Sequence, residues 1–129
     1  MPDVQKVLFV CLGNICRSPI AEAVFTHIVK ERGIRDKWEA DSAAIEGWQV
    51  GSRPNHRARE TLKHHSIQYS GRARQIESED FNEFDYIFGM DENNISNLKE
   101  VAPRDSKAKI FLLGDFDPEG DRIIRDPYF

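Results

Sequence analysis

The sequence predicts an α/β fold built on a parallel β-sheet, and two observations lead to this prediction. Four short candidate strands alternate with helical patterns along the chain, which favours parallel strands joined by right-handed crossover helices. The first candidate strand, 7–10, consists of four consecutive apolar residues, as expected where a strand is covered on both faces. Sheets of this kind bind ligands beyond the carboxyl ends of their strands, so a functional site is expected at that edge.

Composition limits the class of protein. The 129 residues suit one domain, and 40% hydrophobic and 31% charged residues are ordinary for a globular protein. The net charge of −4 and the lack of a basic stripe argue against nucleic acid as a partner. No apolar segment is long enough for a signal peptide or a membrane span. The two cysteines lie in one loop and do not form the disulfide framework that is typical of small secreted proteins, so we expect a cytoplasmic protein.

The stretch 7–22 carries the candidate site. The first strand leads into a loop and then into Ser18-Pro19, which predicts a helix that Ser18 caps. Gly13 and Asn14 are residue types that readily take left-handed backbone angles, so the loop can turn successive N–H groups toward one point. The helix N-terminus adds positive potential at that point. These features predict a loop that binds an oxyanion.

Two side chains give this loop its chemistry. Converging amides, a helix N-terminus and a guanidinium all favour the thiolate, which is the reactive form of cysteine, so Cys11 is the candidate nucleophile. Arg17 offers a planar fork that matches two phosphate oxygens. Ser18 can also donate to the sulfur when it leaves a phospho-intermediate. The alternative is a buried core cysteine beside a solvent-facing arginine, and the combined order of strand, loop residues and helix start argues against it.

Periodicity and turn residues predict the remaining elements. In order, these are a helix through Lys30 that Gly33 stops, a strand over 38–44 ending near Ser42, a helix over 54–65 with Ala58 and Leu62 inside, a loop over 66–76, a short helix near 78–81, a strand at 86–88, a helix from Asp91 that Pro103 closes, and a strand at 109–113.

The stretch from Cys11 to Ala23, CLGNICRSPIAEA, resembles the signature loop of the low-molecular-weight protein tyrosine phosphatases, also called low-molecular-weight acid phosphatases. The final four residues, Asp126 to Phe129, resemble the general-acid loop of that family. Further similar segments in the family's order lie at 41–44, 73–76, 84–87 and 90–92. The resemblance implies a three-layer fold of flavodoxin-like topology, with a four-stranded parallel sheet in the order 2-1-3-4 and helices on both faces.

The resemblance also implies hydrolysis of protein phosphotyrosine and small aryl phosphates through a phosphocysteine. Cys11 is the implied nucleophile, Arg17 and the loop amides bind the phosphate, and Asp126 is the implied general acid and base. The expected partners are phosphotyrosine-containing proteins, aryl phosphates, phosphate and other oxyanions, and no cofactor is expected. The residues expected to bind the substrate are Leu12, Gly13, Asn14, Ile15, Cys16, Ser18, Trp48, Tyr128 and Phe129.

Two of these expectations have open alternatives. Trp48 lies between glycines after a strand end, where it can form a wall for the substrate ring or pack into the core. Asp91 can cap its helix or brace the site. The proximity of Cys11 and Cys16, together with the resemblance, suggests a reversible disulfide that protects Cys11 from over-oxidation.

The chain departs from the family's pattern at two places. The family usually has a histidine where this chain has Gly71, and that histidine, with a serine matching Ser42, is expected to brace the loop asparagine. We therefore expect Asn14 to lose one support, with water or Ser70 replacing it, and the loop to be looser while activity is retained. The family also continues past the position of Phe129 through a helix packed on the sheet, so we expect one phosphatase domain over 1–129 with an exposed apolar patch.

Metal binding is not expected. The run Asp115-x-Asp117-x-Glu119-Gly120 imitates the start of a calcium loop, but it follows a strand, and the twelfth position is Asp126 rather than Glu. The four histidines show no ligand spacing; they stand at positions 27, 56, 64 and 65.

Several other functions remain as alternatives. Arsenate reduction on this scaffold usually needs further downstream cysteines, and none follows Cys16. Similar arginine phosphatases typically have Thr where this chain has Ile15. A phosphocarrier protein or a noncatalytic phosphotyrosine-binding module would not need an acid such as Asp126.

Overall fold

The computed structural model describes residues 4–116, which contain four strands and four α-helices. The strands are β1 (Gln5–Cys11), β2 (Trp38–Ala44), β3 (Tyr86–Gly89) and β4 (Lys109–Leu112). The helices are α1 (Arg17–Glu31), α2 (His56–His64), α3 (Asp80–Glu83) and α4 (Glu92–Val101), with 3-10 turns at Arg35–Lys37 and Leu113–Phe116. All strands pair in parallel in the order β2-β1-β3-β4, which confirms the predicted order.

Strand β1 lies at the centre of the sheet, and its apolar run is buried on both faces. Leu8 and Val10 belong to a core that includes residues of α3 and α4 on one face. Val7, Phe9 and Cys11 face the opposite core, against which α1 packs. The alternation of side chains along a strand explains this division. The predicted three layers, with helices on both faces, are therefore confirmed.

Aromatic rings dominate the face of the sheet that α1 partly covers. Phe9 stacks on Phe88 at 5.7 Å between ring centroids and meets Phe25 of α1 at the same distance. Phe88 continues the row toward Phe111 and Phe116. These last two side chains are exposed, so apolar surface faces solvent at the β4 side of this layer.

Most predicted element bounds agree with the structure to within a few residues. The second helix begins at His56 rather than Pro54, because the side chain of Asn55 caps it by accepting a hydrogen bond from the Ala58 N–H. Gly33 follows α1 with a φ of 69°, in the left-handed region that lets a glycine end a helix. Asp91 caps α4 as predicted, by accepting from the Asn94 N–H at 2.8 Å.

The strand order places the end of β1 at the functional edge. Its neighbours β2 and β3 lie on opposite sides, so the loops that follow all three strands meet there. The chain after β2 remains attached to this edge, because the Ile45 and Glu46 amides donate to the carbonyl oxygens of Cys11 and Leu12, each at 3.0 Å.

Candidate active site

Cys11 is the last residue of β1, and its side chain is buried. Its Sγ lies 3.0 Å from Ser18 Oγ in a buried hydrogen bond. Asn14 Nδ2 donates to the same Ser18 oxygen at 2.8 Å. Because the Ser18 hydroxyl accepts from Asn14, its own hydrogen is available to donate to the sulfur. A thiolate at Cys11 would therefore have a fixed hydrogen-bond donor.

Asn14 shapes the loop through its backbone and its side chain. Its φ of 58° lies in the left-handed region, as predicted. Its Oδ1 accepts a 3.1 Å hydrogen bond from the main-chain N–H of Arg74, so the brace comes from Arg74 rather than from Ser70. The left-handed conformation predicted for Gly13 is wrong, since the glycines with positive φ in the described chain are Gly33 and Gly51.

Ser18 does not cap α1, and that prediction is wrong. The helix begins at Arg17, and its N-cap position is Cys16, two residues before Ser18, with no side-chain cap. The physical reason is that the Ser18 hydroxyl is already engaged with Cys11 and Asn14. Pro19 lies in the first turn as predicted, where a missing N–H is tolerated.

Arg17 is buried and forms an ion pair with Asp91. Its Nη1 lies 2.7 Å from Asp91 Oδ2, and the Asp91 side chain is about four-fifths buried. The same carboxylate caps α4 through its other oxygen. Asp91 therefore both caps its helix and braces the site, which unites the two readings that the sequence left open. The pair also fixes one edge of the planar guanidinium.

Cys16 is buried in the same loop, and its sulfur accepts a hydrogen bond from Asn55 Nδ2 at 2.8 Å. Asn55 also donates its main-chain N–H to the Ile15 carbonyl at 2.7 Å. No disulfide joins Cys11 and Cys16 in the structure. Asn55 thus joins the loop to the start of α2. Sequence analysis missed this role because it began the helix at Pro54, and the preference of Asn for the N-cap position is the signal that could have found it.

The expected substrate walls are only partly within the described chain. Leu12 and Ile15 are half-buried, and Trp48 is 66% exposed in the turn after β2. The core-packing alternative for Trp48 is therefore excluded. The neighbouring Gln49 lies against Gly13, since a Cβ placed there would be 3.5 Å from Gln49 Cγ. Asp126, Tyr128 and Phe129 lie outside the described residues.

The expected support of Asn14 by a hydrogen bond from Ser42 is not found. Its hydroxyl donates to Glu22 Oε1 at 2.6 Å, and the Tyr69 hydroxyl donates to the same oxygen at 2.8 Å. Burial raises the pKa of Glu22 above its usual value, although these two hydrogen bonds oppose the shift. Burial likewise raises the pKa of Tyr69, and the adjacent Glu22 carboxylate adds to that shift.

Arg74 anchors the segment that holds Asn14. Its guanidinium makes two 3.0 Å hydrogen bonds to the buried Asp80 and one of 3.1 Å to Asp41. Burial alone would lower the pKa of Arg74, but the bonds to Asp80 and the charges of Asp41 and Asp80 raise it overall. The sequence indicated Arg74 only through the segment 73–76, which resembles the family. That segment did not indicate its partners Asp41 and Asp80.

Within residues 4–116, no cluster of three or more His, Cys, Asp or Glu side chains is arranged to hold a metal ion. His27 instead pairs with Glu31 on α1, with 3.4 Å between Nε2 and Oε1. In the same part of the chain, no helix is both long and apolar enough to cross a membrane.

The fold and the loop define an α/β protein with a buried cysteine, an arginine and a helix start at the carboxyl end of its central strand. Residues 6–129 match the family model of the low molecular weight phosphotyrosine protein phosphatases, so the chain belongs to that family of hydrolases. Low molecular weight phosphotyrosine protein phosphatase 1 of Drosophila melanogaster is 54% identical over 127 residues, which cover 98% of this chain and 81% of the relative.

Solved structures show the same similarity. The crystal structure of Primo-1 superposes with a TM-score of 0.93 and is 53% identical, covering 98% of this chain and 82% of the other. A structure described as a Drosophila arginine phosphatase superposes with a TM-score of 0.91 and is 43% identical, covering 97% and 82%. These superpositions agree with the flavodoxin-like topology that the resemblance implied.

Proposed function

We propose that this protein hydrolyses phosphotyrosine in proteins, and small aryl phosphates, through a phosphocysteine at Cys11. The observation that carries the proposal is the 3.0 Å hydrogen bond between Cys11 Sγ and Ser18 Oγ at the start of α1. A neighbouring donor and a helix N-terminus both favour a sulfur anion, which is the form that attacks phosphorus. Membership in the family supports the reaction class.

In the first step, the Cys11 thiolate attacks phosphorus and the bond to the phenolic oxygen breaks. Arg17 and the loop amides bind the equatorial oxygens, where negative charge must be held during transfer. The ion pair with Asp91 restrains the guanidinium, so less ordering is needed when the phosphate arrives. The products of this step are a phosphocysteine and a phenol.

Asp126 is proposed to give its proton to the departing phenolic oxygen. A phenolate is a poor leaving group, because the phenol has a pKa of about 10. In the second step, the Asp126 carboxylate takes a proton from water as the water attacks phosphorus. The sulfur then leaves as a thiolate, with the Ser18 hydroxyl donating to it.

The substrate preference follows from the depth of the site. The nucleophile is buried, and Trp48 is exposed next to Gln49, which lies against Gly13 of the loop. An aryl phosphate can reach a buried sulfur and stack on an aromatic wall, whereas a shorter seryl phosphate gains neither advantage. We further propose that the protein works in the reducing cytoplasm, where Cys11 stays a thiol.

Hydrolysis of an aryl phosphate by the wild type, Cys11→Ser and Asp126→Ala tests the proposal. Cys11→Ser should show no turnover, because a serine hydroxyl lacks the acidity of a thiol. Asp126→Ala should be slow and should recover as the leaving group becomes more acidic. Equal rates for all three proteins would contradict the proposal.

A parallel assay with a phosphoarginine peptide separates the nearest alternative. Phosphoarginine is included as a substrate because the chain is similar to a structure described as an arginine phosphatase. Ile15 stands where similar arginine phosphatases typically have Thr, so we expect the phosphotyrosine peptide to react with the higher kcat/KM. A higher kcat/KM with phosphoarginine would reassign the substrate while leaving the thiol chemistry intact.

A further inference from the structure

Three polar side chains that the mechanism does not use are joined by hydrogen bonds. Ser42 and Tyr69 each donate a hydroxyl hydrogen bond to Glu22 Oε1, at 2.6 and 2.8 Å. Their own oxygens are 3.5 Å apart. We call Glu22, Ser42 and Tyr69 the Glu22 hub. It joins α1, β2 and the 65–75 segment, which are remote from one another in sequence.

Tyr69 can reach the hub because residue 71 is glycine. A Cβ placed on Gly71 would overlap the Tyr69 hydroxyl and lie 2.5 Å from Tyr69 Cζ. The backbone of Gly71 does not use the left-handed region, so a side chain there is opposed by the Tyr69 ring rather than by backbone strain. The two residues therefore form a matched pair: any larger residue at 71 must displace the ring.

The hub is connected to the nucleophile through α1. Glu22 follows Ser18 by four residues, so both lie on the same face of the helix, one turn apart. Ser42 pairs with Phe9 across the sheet, two residues before Cys11 on the same face of β1. A contact that fixes Glu22 against β2 therefore fixes the rotation of the first turns of α1 relative to the sulfur.

Glu22 is half-buried. A carboxylate that is partly removed from water requires hydrogen-bond donors, and the hub supplies two of them to one oxygen. If the Tyr69 hydroxyl is removed, the carboxylate loses a donor and is drawn toward water. The face of α1 that carries Glu22 and Ser18 then shifts, and the Ser18–Cys11 hydrogen bond lengthens.

We propose that Tyr69, in the space that Gly71 leaves, is a positioning residue for Cys11. Its hydroxyl holds Glu22, and Glu22 holds the face of α1 from which Ser18 reaches the sulfur. The proposal rests on the phosphocysteine reaction described above and extends it to a residue that touches neither the substrate nor the sulfur. Because Ser18 assists the departure of sulfur, a shifted α1 should lower kcat more than it raises KM.

Tyr69→Phe is the most direct test, because it removes only the hydroxyl. Tyr86→Phe is its matched control, since Tyr86 is a half-buried tyrosine of β3 whose ring stacks on Phe88 in the aromatic row. We expect Tyr69→Phe to lower kcat by roughly tenfold, the low end for loss of an outer partner, with KM changed by less than about twofold. The rate of iodoacetate labelling at Cys11, read by peptide fragmentation, should fall in parallel.

Gly71→Ala gives a second, independent test. The added methyl overlaps the Tyr69 hydroxyl, so this variant should lower kcat much as Tyr69→Phe does. In a Tyr69→Ala background the ring is absent, and adding Gly71→Ala should change kcat by less than about twofold. Non-additivity of this kind identifies the Tyr69–Gly71 pair as the cause.

The proposal is overturned if Tyr69→Phe matches Tyr86→Phe in both kcat and Cys11 labelling, or if the two effects at 69 and 71 are additive. It is also overturned if Tyr69→Phe lowers only the melting temperature, because that outcome shows a merely structural contact. Failure of the phosphocysteine reaction itself would appear differently, as turnover by Cys11→Ser or as no turnover by the wild type.

Discussion

Arg17 and Asp91 are joined by a 2.7 Å contact between Nη1 and Oδ2, although they are 74 positions apart in sequence. Both side chains are mostly buried, and the Asp91 carboxylate also caps α4. The contact therefore links the phosphate-binding loop after β1 to the helix after β3. Removal of one partner would leave the other charge poorly compensated in a buried site.

Substitution of Asp91 separates its two roles. Asn is as good an N-cap as Asp, so Asp91→Asn should keep the cap, lower the melting temperature only through the uncompensated charge of Arg17, and lower kcat/KM about tenfold through the weaker hold on Arg17. Asp91→Ala should lower kcat/KM further and also lose about 1 kcal/mol of stability with the cap. Thermal melts and aryl phosphate kinetics measure the two effects. An Asp91→Ala variant that melts at a lower temperature but keeps its kcat/KM would show that the ion pair contributes to stability and not to catalysis.

Glu22 should make stability depend on pH in a specific direction. Burial raises its folded-state pKa above 4.5, so the folded protein binds a proton that the unfolded chain has released. Stability from this group is present below pH 4.5 and is lost as pH rises through the folded pKa. Glu22→Gln keeps an acceptor for Ser42 and Tyr69 without the charge. The wild type should therefore lose melting temperature relative to Glu22→Gln between pH 4.5 and 7.5, and a constant difference would contradict this account.

Trp48 should contribute to substrate binding and little to stability. It is 66% exposed, so Trp48→Ala should change the free energy of unfolding by less than about 0.5 kcal/mol. Loss of ring stacking should raise KM for an aryl phosphate about threefold to tenfold. Val50→Ala, 57% exposed in the same turn, is the control that should alter neither quantity. An unchanged KM in Trp48→Ala would remove it from the substrate wall.

Mild peroxide should join Cys11 to Cys16, because both thiols lie in one short loop. Cys16 must first leave the 2.8 Å hydrogen bond from Asn55 Nδ2, so Asn55→Ala should form the disulfide faster. In Cys16→Ser, Cys11 should instead advance to the sulfonic acid. Mass spectrometry reads both products. Sulfonic acid at Cys11 in the wild type, with no bridge to Cys16, would contradict the protective role.

The parallel sheet was predictable from the residues, because an apolar run such as 7–10 indicates burial on both faces, whereas the strand order came from the resemblance to the family. The role of Ser18 was only half predictable. The structure has the predicted contact between Ser18 and the Cys11 sulfur, but it does not have the predicted helix cap. A local pattern favours capping, and the tertiary contact overrode it.

The Glu22 hub was not predictable from local patterns. Glu22 and Tyr69 are 47 positions apart, and each alone is typical of a polar surface residue. Gly71 gave a signal only as a departure from the family's histidine. The sequence showed that the family's histidine side chain is absent at position 71, whereas the structure shows that the Tyr69 ring occupies the space beside Gly71.

The central claim is that Cys11 is held in its reactive form by Ser18 and the start of α1. The rate at which iodoacetate alkylates Cys11 at neutral pH, with and without inorganic phosphate, tests it most directly. We predict alkylation faster than that of free cysteine, and a marked slowing when phosphate occupies the loop. Alkylation no faster than free cysteine, with no effect of phosphate, would contradict the account.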